Sequence, residues 1–379
     1  MKETREAAKV IFLECGLGGG SVNRLSTLLR HWDFARFPCG VLSFYDQLKA
    51  RELLAIPDVV FAQTLGIQGL PPDPLRTLAG LATPTRHFFS YGGRVLRLLR
   101  EHRDALLYLN NTPYPHTPAI VAAALLSRRV VCHLRDTVVL SRAERLCLPG
   151  IRHFIALSEA AKRHYVAQGI PPEKLTTVYD SIDIARLGGQ VFEGEVPRGG
   201  KNAVIVGSLC DRKAQDVAIR ALATVTLRHP ETQLLLIGDG SAMEHWQVLA
   251  RDIGVSSNVH FMGYQPAAFD VLRRCDIGIL PSRREGLPNS VMEYMAARLP
   301  VLVSDLTGIR ELVADGREGF IHPVGDSEKL AADWIRLLDD RELRRKMGSA
   351  GWVSVSRREF SPEFEAETIS GVIFHASQV

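Results

Sequence analysis

The 379-residue sequence predicts an α/β protein of two domains, each built on a parallel sheet with covering helices. Short apolar runs, typical of buried strands, alternate with segments of helical apolar spacing along most of the chain. The chain is too long for one ordinary core and suits two domains of roughly 150 to 200 residues each. Apolar residues make up 46% and charged residues 23%, so both halves can bury a core.

The first domain begins with a strand at 10–15 and a glycine-rich turn, which leads into a helix at 22–30. Glycines at a helix start allow the backbone to approach a ligand closely. The turn is not a dinucleotide-binding fingerprint, because that spacing requires glycine where Ser21 stands. Ligand contact and tight packing both remain open for this turn.

A basic helix is predicted within 88–102. Its outward face carries three arginines, Arg94, Arg97 and Arg100. Such a helix either covers the sheet or contacts an anionic membrane surface.

The strand predicted at 129–134 is followed by polar residues. Ligands of open α/β sheets bind beyond the carboxyl ends of strands, so His133 and Arg135 are candidate site residues. The two residues share one face of an extended strand. The alternative is that His133 is a core histidine whose hydrogen bonds are satisfied within the fold.

In the second domain, Arg212 and Lys213 lie between a buried strand at 202–208 and a helix at 216–223. Two cations beside a helix start would neutralise a pyrophosphate without a metal ion. The alternative is that both are solvated loop charges.

Two acids in the stretch 280–300, Glu285 and Glu293, could hold one ligand from both sides of a turn. A short strand precedes them, and helical spacing starts at Asn289. The free N–H groups of Asn289 and Ser290 would favour a phosphate at the helix start. Two glutamates at this spacing, taken alone, are more often solvated surface acids.

The segment EGLPNSVMEYMAARLPVLVSDLTGIRELV, which begins at Glu285, resembles the donor-site signature of the retaining GT-B glycosyltransferases of family 4, the group-1 transferases. The resemblance is strong over roughly residues 150–350 and weak before them. It implies a GT-B fold, in which two Rossmann-like domains with parallel sheets face a central cleft. It also implies that Glu285 contacts the donor sugar and Glu293 the nucleotide ribose.

The same resemblance implies the remaining site residues. The catalytic set would be Glu285, His133, Arg135, Arg212 and Lys213. The other donor-binding positions would be Gly18, Gly19, Ser21, Gly207, Ser208, Gly263, Tyr264, Gly286, Leu287, Asn289 and Ser290, together with Glu293.

The chain departs from the family pattern at several positions, which include Asp180 and Ser181 in place of an asparagine and a glycine, and four departures concern the expected site. Arg135 takes the place of a histidine, Ser208 that of an arginine, and Ala214 and Arg298 those of glycines. These departures keep two alternatives open: a non-catalytic nucleotide-sugar scaffold, and an epimerase or phosphorolytic enzyme that uses the same donor without a sugar acceptor. Slow hydrolysis of the donor would separate a transferase from a scaffold.

The predicted function is retaining, metal-independent transfer of a sugar from a nucleotide diphosphate sugar, with UDP-sugar favoured. The acceptor would be a glycan, a lipid-linked molecule or a small molecule, in cell-surface glycan or glycolipid synthesis. No cofactor and no metal ion are expected, because the sequence has no Asp-x-Asp motif and has two cations for the diphosphate.

Charge is divided unevenly along the chain. Residues 1–183 carry a net charge of +7 and residues 184–379 a net charge of −3. The basic half fits an anionic partner such as a membrane surface, whereas nucleic acid is not expected because no aromatic-interleaved basic stripe occurs. Scattered cysteines and a charged start without a secretory signal predict a cytoplasmic protein, peripheral at the inner face of the membrane.

The predicted domains are 1–185, completed by a C-terminal helix at 360–379, and 201–358. A glycine-rich linker at 186–200 joins them.

Overall fold

The computed structural model describes residues 9–15, 20–44, 55–56, 58–64, 82–189, 191–197 and 201–378. Gly18 and Gly19 of the glycine-rich turn lie outside the described residues. The chain forms two compact units, Met1–Ser181 with Pro362–Val379, and Ile182–Ser361. They are called the first and the second unit below.

The first unit is built on a parallel sheet with the strand order β3-β2-β1-β4-β5-β6-β7. Its strands are β1 (Val10–Glu14), β2 (Cys39–Ser43), β3 (Phe61–Thr64), β4 (Leu106–Leu109), β5 (Val130–Leu134), β6 (His153–Ala156) and β7 (Leu175–Thr177). Its helices are α1 (Gly20–Arg30), α2 (Ala82–Glu101), α3 (Pro113–Leu125), α4 (Arg142–Cys147), α5 (Glu159–Val166) and the last helix of the chain, α13 (Pro362–Gln378). Every residue of β1 and β4 is buried, because helices cover both faces of a parallel sheet.

The second unit is built on a parallel sheet with the strand order β10-β9-β8-β11-β12-β13. Its strands are β8 (Asn202–Val206), β9 (Gln233–Ile237), β10 (Val259–Gly263), β11 (Ile277–Leu280), β12 (Val301–Ser304) and β13 (Gly319–His322). Its helices are α6 (Ile184–Leu187), α7 (Gln215–Arg228), α8 (Met243–Asp252), α9 (Ala268–Leu272), α10 (Asn289–Ala296), α11 (Ser327–Asp339) and α12 (Arg341–Val355). The predicted fold class, two parallel-sheet α/β units, is confirmed.

Helix α2 runs from Ala82 to Glu101, so it begins before the range 88–102 in which the basic helix is predicted. Its apolar face is buried, and Arg97 and Arg100 are exposed. Arg94 instead donates two hydrogen bonds to the side-chain oxygen of Gln63, at 3.2 and 2.8 Å. One arginine of the predicted basic face is therefore engaged within the fold.

The last helix, α13, contributes an apolar face to the core of the first unit. Its Ile369 and Ile373 pack in one cluster with Val10 and Phe12 of β1. Across the described parts of the chain, no helix has both the length and the apolar character needed to cross a bilayer.

Two of the departures from the family pattern lie in left-handed backbone. Ala214 has φ of 51° and Arg298 has φ of 59°. Both positions therefore keep the conformation that glycine adopts most easily, although a side chain is present. The guanidinium of Arg298 lies 4.6 Å from the ring centroid of Trp352 on α12, a cation–π contact that offsets part of this cost.

The left-handed backbone at Arg298 predicts which of two variants at this position is the more stable. Arg298→Ala keeps the strain and loses the contact with Trp352, whereas Arg298→Gly loses the contact and relieves the strain. We expect the glycine variant to be more stable than the alanine variant by about 1 kcal/mol in urea unfolding. An alanine variant at least as stable as the glycine variant would contradict the assigned backbone conformation.

Candidate functional site

The strand order of the second unit places a crevice between the ends of β8 and β11. The chain runs from β8 to β9 and β10 on one side, and from β11 to β12 and β13 on the other. Such a reversal of direction leaves a crevice outside the carboxyl ends of the two central strands, where ligands of open α/β sheets bind. The predicted residues Arg212, Lys213 and Glu285 lie in the two loops that follow these strands.

An ion-pair cluster joins these two loops. The Lys213 ammonium lies 2.7 Å from one carboxylate oxygen of Glu285, and the Arg212 guanidinium lies 3.2 Å from the other. The hydroxyl of Ser282 donates a third hydrogen bond to Glu285, at 2.7 Å. The side chains of Lys213 and Glu285 are only 13% and 9% exposed, so water screens this pair weakly. Two cations against one carboxylate leave the cluster with a net positive charge.

A second set of contacts clips the same loops together. The Arg283 guanidinium binds both carboxylate oxygens of Asp216, at 3.2 and 3.0 Å, and donates to the carbonyl of Asp211 at 2.6 Å. The Arg283 amide donates to the carbonyl of Arg212 at 2.8 Å. Hydrogen bonding to Asp216 raises the pKa of Arg283. These contacts hold the loop that carries the acid against the loop that carries the two bases.

The start of α10 presents backbone donors beside the cluster. Its capping residue is Pro288, which makes no side-chain cap bond, so the first-turn amides of Asn289 and Ser290 have no partner within the helix. Glu293 lies one turn further along and is half-buried. The side chain of Leu287 is buried, so only its backbone could contact a ligand.

Two contacts fix the position of α10. The hydroxyl of Tyr294 accepts a hydrogen bond of 2.7 Å from the amide of Val206, at the end of β8. At Gly308, an added Cβ would overlap the carbonyl oxygen of Gly286. The turn before the helix therefore rests directly on another loop backbone, which requires a glycine at position 308.

The loops after β8, β9 and β10 pack backbone against backbone. Gly207 and Gly238 both have positive φ, and a Cβ at Gly238 would overlap the Gly207 carbonyl. Beyond β10, the Asp239 carboxylate accepts a hydrogen bond from the amide of Tyr264 at 3.0 Å. Ser208 and Tyr264 are exposed, while the carbonyl of Ser208 accepts a hydrogen bond from Gln215.

Two of the predicted residues of the first unit, Arg135 and Ser21, belong to a largely buried polar network. Arg135 contacts Asp180 and donates to the side-chain oxygen of Asn110 at 2.9 Å, and its guanidinium lies 3.7 Å from Glu365 of α13. Burial acts to lower the pKa of Arg135, but the negative charge of Asp180 and of other acids near the guanidinium outweighs this effect. The pKa of Arg135 is therefore raised. The side chain is only 4% exposed. The Ser21 hydroxyl belongs to the same network, because it donates to Glu14, which also holds Asn110.

His133 lies entirely below the surface of the first unit. Its Nδ1 is 2.5 Å from the hydroxyl of Tyr108. Burial, and then the charge of Arg135, lower the pKa of His133 well below 6.5, so the ring is neutral. This geometry favours a structural role for His133 and Arg135, and their catalytic role stays a prediction.

Several residues of the two networks were missed by sequence reasoning. They are Asp216, Arg283, Asp239, Glu14, Asn110 and Glu365. Their positions gave a signal for Asn110, which directly follows β4, and for Asp239, which lies two residues beyond β9. Nothing in the sequence pairs Arg283 with Asp216. Within the described ranges, no group of three or more His, Cys, Asp or Glu side chains could hold a metal ion.

Comparison with known proteins gives consistent matches in both halves of the chain. Residues 200–340 match the family model described as glycosyl transferases group 1, and residues 19–186 match that of glycosyltransferase family 4. The chain belongs to the group-1 glycosyltransferases of family 4.

Curated relatives of this group-1 glycosyltransferase match over shorter stretches. This chain is 37% identical over 140 residues to a protein of Bacillus subtilis that is named as a glycosyltransferase, EpsD. The match covers 37% of this chain and 36% of the relative. This chain is also 29% identical over 171 residues to the lipopolysaccharide core biosynthesis glycosyltransferase LpsE of Rhizobium meliloti. That match covers 45% of this chain and 47% of the relative. The chain thus spans about a third to a half of the length of these relatives.

Solved structures match over the whole fold. The Anabaena protein HepE in complex with UDP-glucose has a TM-score of 0.80 and 20% identity, and the match covers 97% of this chain and 100% of that one. At this identity the likeness concerns the fold, and it supports an α/β GT-B fold for this family member.

The contacts of Arg283 with Asp216 and Asp211, which join the two loops, lead to a prediction. An exposed ion pair contributes little to stability, but loss of this one should let the loop of the two bases move relative to the amides at the start of α10, which would bind the same diphosphate. We expect Arg283→Gln to weaken binding of a nucleoside diphosphate about tenfold, or about 1.4 kcal/mol, with little change in melting temperature. Isothermal calorimetry measures the affinity, and Arg283→Lys should recover part of it.

Arg345→Gln is the matched control, because Arg345 makes a similar two-pronged ion pair with Glu342 on the surface of α12. Equal affinities in Arg283→Gln and the wild type would show that the ion pair of Arg283 with Asp216 does not position the groups that bind the nucleotide.

Proposed function

We propose that this chain is a glycosyltransferase that moves a sugar from a nucleotide diphosphate sugar to an acceptor. The observation that carries the proposal is the positively charged cluster of Arg212, Lys213 and Glu285, placed beside the start of α10 at the crevice of the second unit. Cationic side chains and free helix-start amides together are suited to a diphosphate.

The leaving diphosphate is the group that this site would stabilise. As the bond between the anomeric carbon and the phosphate oxygen breaks, negative charge grows on the diphosphate. Arg212, Lys213 and the amides of Asn289 and Ser290 are fixed donors for that charge, which lowers the barrier more than mobile water does. The low exposure of Lys213 strengthens the effect.

The remaining donor contacts follow from the same placement. Glu285, held by Lys213, would reach the sugar next to the diphosphate, and Glu293 would accept hydrogen bonds from the ribose hydroxyls. The exposed Tyr264 and the backbone beside it would border the base. Asp239 would support that border through the Tyr264 amide.

We further propose transfer with retention of the anomeric configuration, as the family resemblance implies. In this reaction the acceptor hydroxyl attacks from the side that the diphosphate leaves, and its proton passes to the leaving phosphate oxygen. The protein's part is then positioning and charge stabilisation. His133 and Arg135 would support the first unit and would not contact the reacting atoms.

UDP-sugar is the proposed donor class, because the similar structure HepE was solved with UDP-glucose. A glycan or lipid-linked acceptor is proposed from LpsE, which is named for lipopolysaccharide core biosynthesis. A small-molecule acceptor and a cytoplasmic location at the inner face of the membrane stay predictions. The scaffold alternative loses support, since Ala214 and Arg298 keep the left-handed backbone of the glycines that they replace.

Transfer without a metal ion is proposed because Arg212 and Lys213 already supply positive charge at the site. We expect turnover of a UDP-sugar to survive excess EDTA, measured as release of UDP. Abolition of turnover by EDTA, with recovery on adding magnesium or manganese, would show that the two cations are not sufficient.

Replacement of Glu285 and of Glu293 by glutamine should have different effects on turnover and on UDP affinity. Glu285→Gln removes a negative charge beside two cations, so UDP should bind at least as tightly as before. Turnover should fall at least tenfold, because the lost carboxylate would stabilise positive charge on the sugar in the transition state. Glu293→Gln should instead weaken UDP binding by about 1 to 3 kcal/mol.

Steady-state kinetics with varied donor and calorimetry with UDP measure these effects. Glu328→Gln, an exposed glutamate on α11, is the control and should leave both quantities unchanged. Wild-type turnover and UDP affinity in both site variants would refute the donor-site assignment.

A further inference from the structure

The two central strands of the second unit, β8 and β11, separate before either of them ends. Strand β8 pairs with β9 over all five of its residues, 202–206. On its other side, β8 pairs with β11 only between residues 203–204 and 277–278. Strand β11 nevertheless continues to Leu280, which pairs with β12. The carboxyl ends of the two central strands are therefore not bonded to each other.

The hydroxyl of Tyr294 lies where the next backbone bond between these strands would form. In a parallel pair, each residue bonds the residues on either side of its partner, so the register predicts a bond from the Val206 amide to the Ile279 carbonyl. Instead, the hydroxyl accepts a hydrogen bond from the Val206 amide at 2.7 Å and donates one to the Ile279 carbonyl at 3.4 Å. One O–H group can do both. A side-chain hydroxyl thus replaces a backbone bond.

The ring of Tyr294 rests against the backbone of β11. The whole side chain is buried. A Cβ added at Gly278 would overlap the ring, so a glycine at this position is what lets the ring lie so close to the strand. Burial raises the pKa of the Tyr294 hydroxyl, which therefore keeps the proton that it donates. The group between the two strands is accordingly fixed and neutral.

The same two strand ends lead to the groups assigned to the diphosphate. The loop after β8 carries Arg212 and Lys213. Tyr294 itself belongs to α10, whose first turn presents the amides of Asn289 and Ser290. The tyrosine therefore connects the helix that carries the amides to the strand that leads to the cations.

We propose that Tyr294 is a positioning residue for the nucleotide diphosphate, because its hydroxyl holds the ends of β8 and β11 apart and so sets the distance between the two cations and the amides of α10. The identity of the ligand rests on the proposed function, whereas the spacing of the strands does not. Without the hydroxyl, the Val206 amide and the Ile279 carbonyl would lose their partner and would bond to each other instead. The strand ends would then close.

Tyr294→Phe tests the proposal, since it removes the hydroxyl and keeps the ring. We expect UDP to bind about tenfold more weakly in calorimetry, because the cations and the amides would no longer match the two phosphates. Crystal structures should show the Val206 amide nitrogen about 2.9 Å from the Ile279 carbonyl oxygen in the variant, the length of a direct backbone bond, and farther from it in the wild type.

Tyr165→Phe is the matched control. Tyr165 on α5 of the first unit is also fully buried, and its hydroxyl likewise joins two backbone groups. It donates to the carbonyl of Asp136 at 2.6 Å and accepts from the amide of Val138 at 3.4 Å. Its loss should lower the melting temperature about as much as Tyr294→Phe does and leave UDP affinity unchanged. A fall in affinity at Tyr294 alone would thus report positioning and not lost stability.

If the wild type binds UDP, three results would overturn the proposal. Wild-type affinity in Tyr294→Phe would show that the hydroxyl does not position the site. An equal fall in affinity in Tyr165→Phe would assign the effect to stability. Weaker binding with unchanged strand ends would show that the hydroxyl does not act through their spacing. Failure of the wild type to bind UDP or any other nucleoside diphosphate would instead refute the proposed function, and the role of Tyr294 with it.

Discussion

The ion-pair cluster around Glu285 is the contact on which the second unit's site depends. It joins two loops that are 73 residues apart in the sequence but follow neighbouring strands. Without the carboxylate, Lys213, which is 13% exposed, would lose the anion that it shares with the more exposed Arg212. With it, both cations stay in place, and one positive charge remains uncompensated. The same carboxylate therefore organises the bases and leaves them able to attract an anion.

Close backbone contacts decide where the ligand-facing groups lie. The Gly207 carbonyl rests against Gly238, and the Gly286 carbonyl rests against Gly308. Backbone amides can point at a phosphate only if the loops that carry them are held still, and contacts of this kind allow little movement. Ala214 follows the same constraint, since its positive φ directs the chain from Lys213 into α7.

The first unit shows that a polar residue at a strand end need not form an open site. Arg135 follows β5 as the sequence predicted, but Asp180 and Glu365 occupy its guanidinium within the fold. Burial raises the pKa of Glu365, and the positive charge of Arg135 offsets part of that rise. Because Glu365 belongs to the last helix, this network also attaches α13 to the strands of the first unit.

The sequence by itself determined the two parallel-sheet units, because alternating apolar runs and helical spacing are local patterns. It also predicted that Arg212, Lys213, Glu285 and the start of α10 follow strand ends of the second unit, since these residues lie in short motifs. Only the tertiary structure decided which charges meet. Arg283 pairs with Asp216, and Arg135 with Glu365, through contacts between distant parts of the chain that no local pattern encodes. Burial likewise made His133 neutral, because the desolvation that sets its pKa depends on what packs around it.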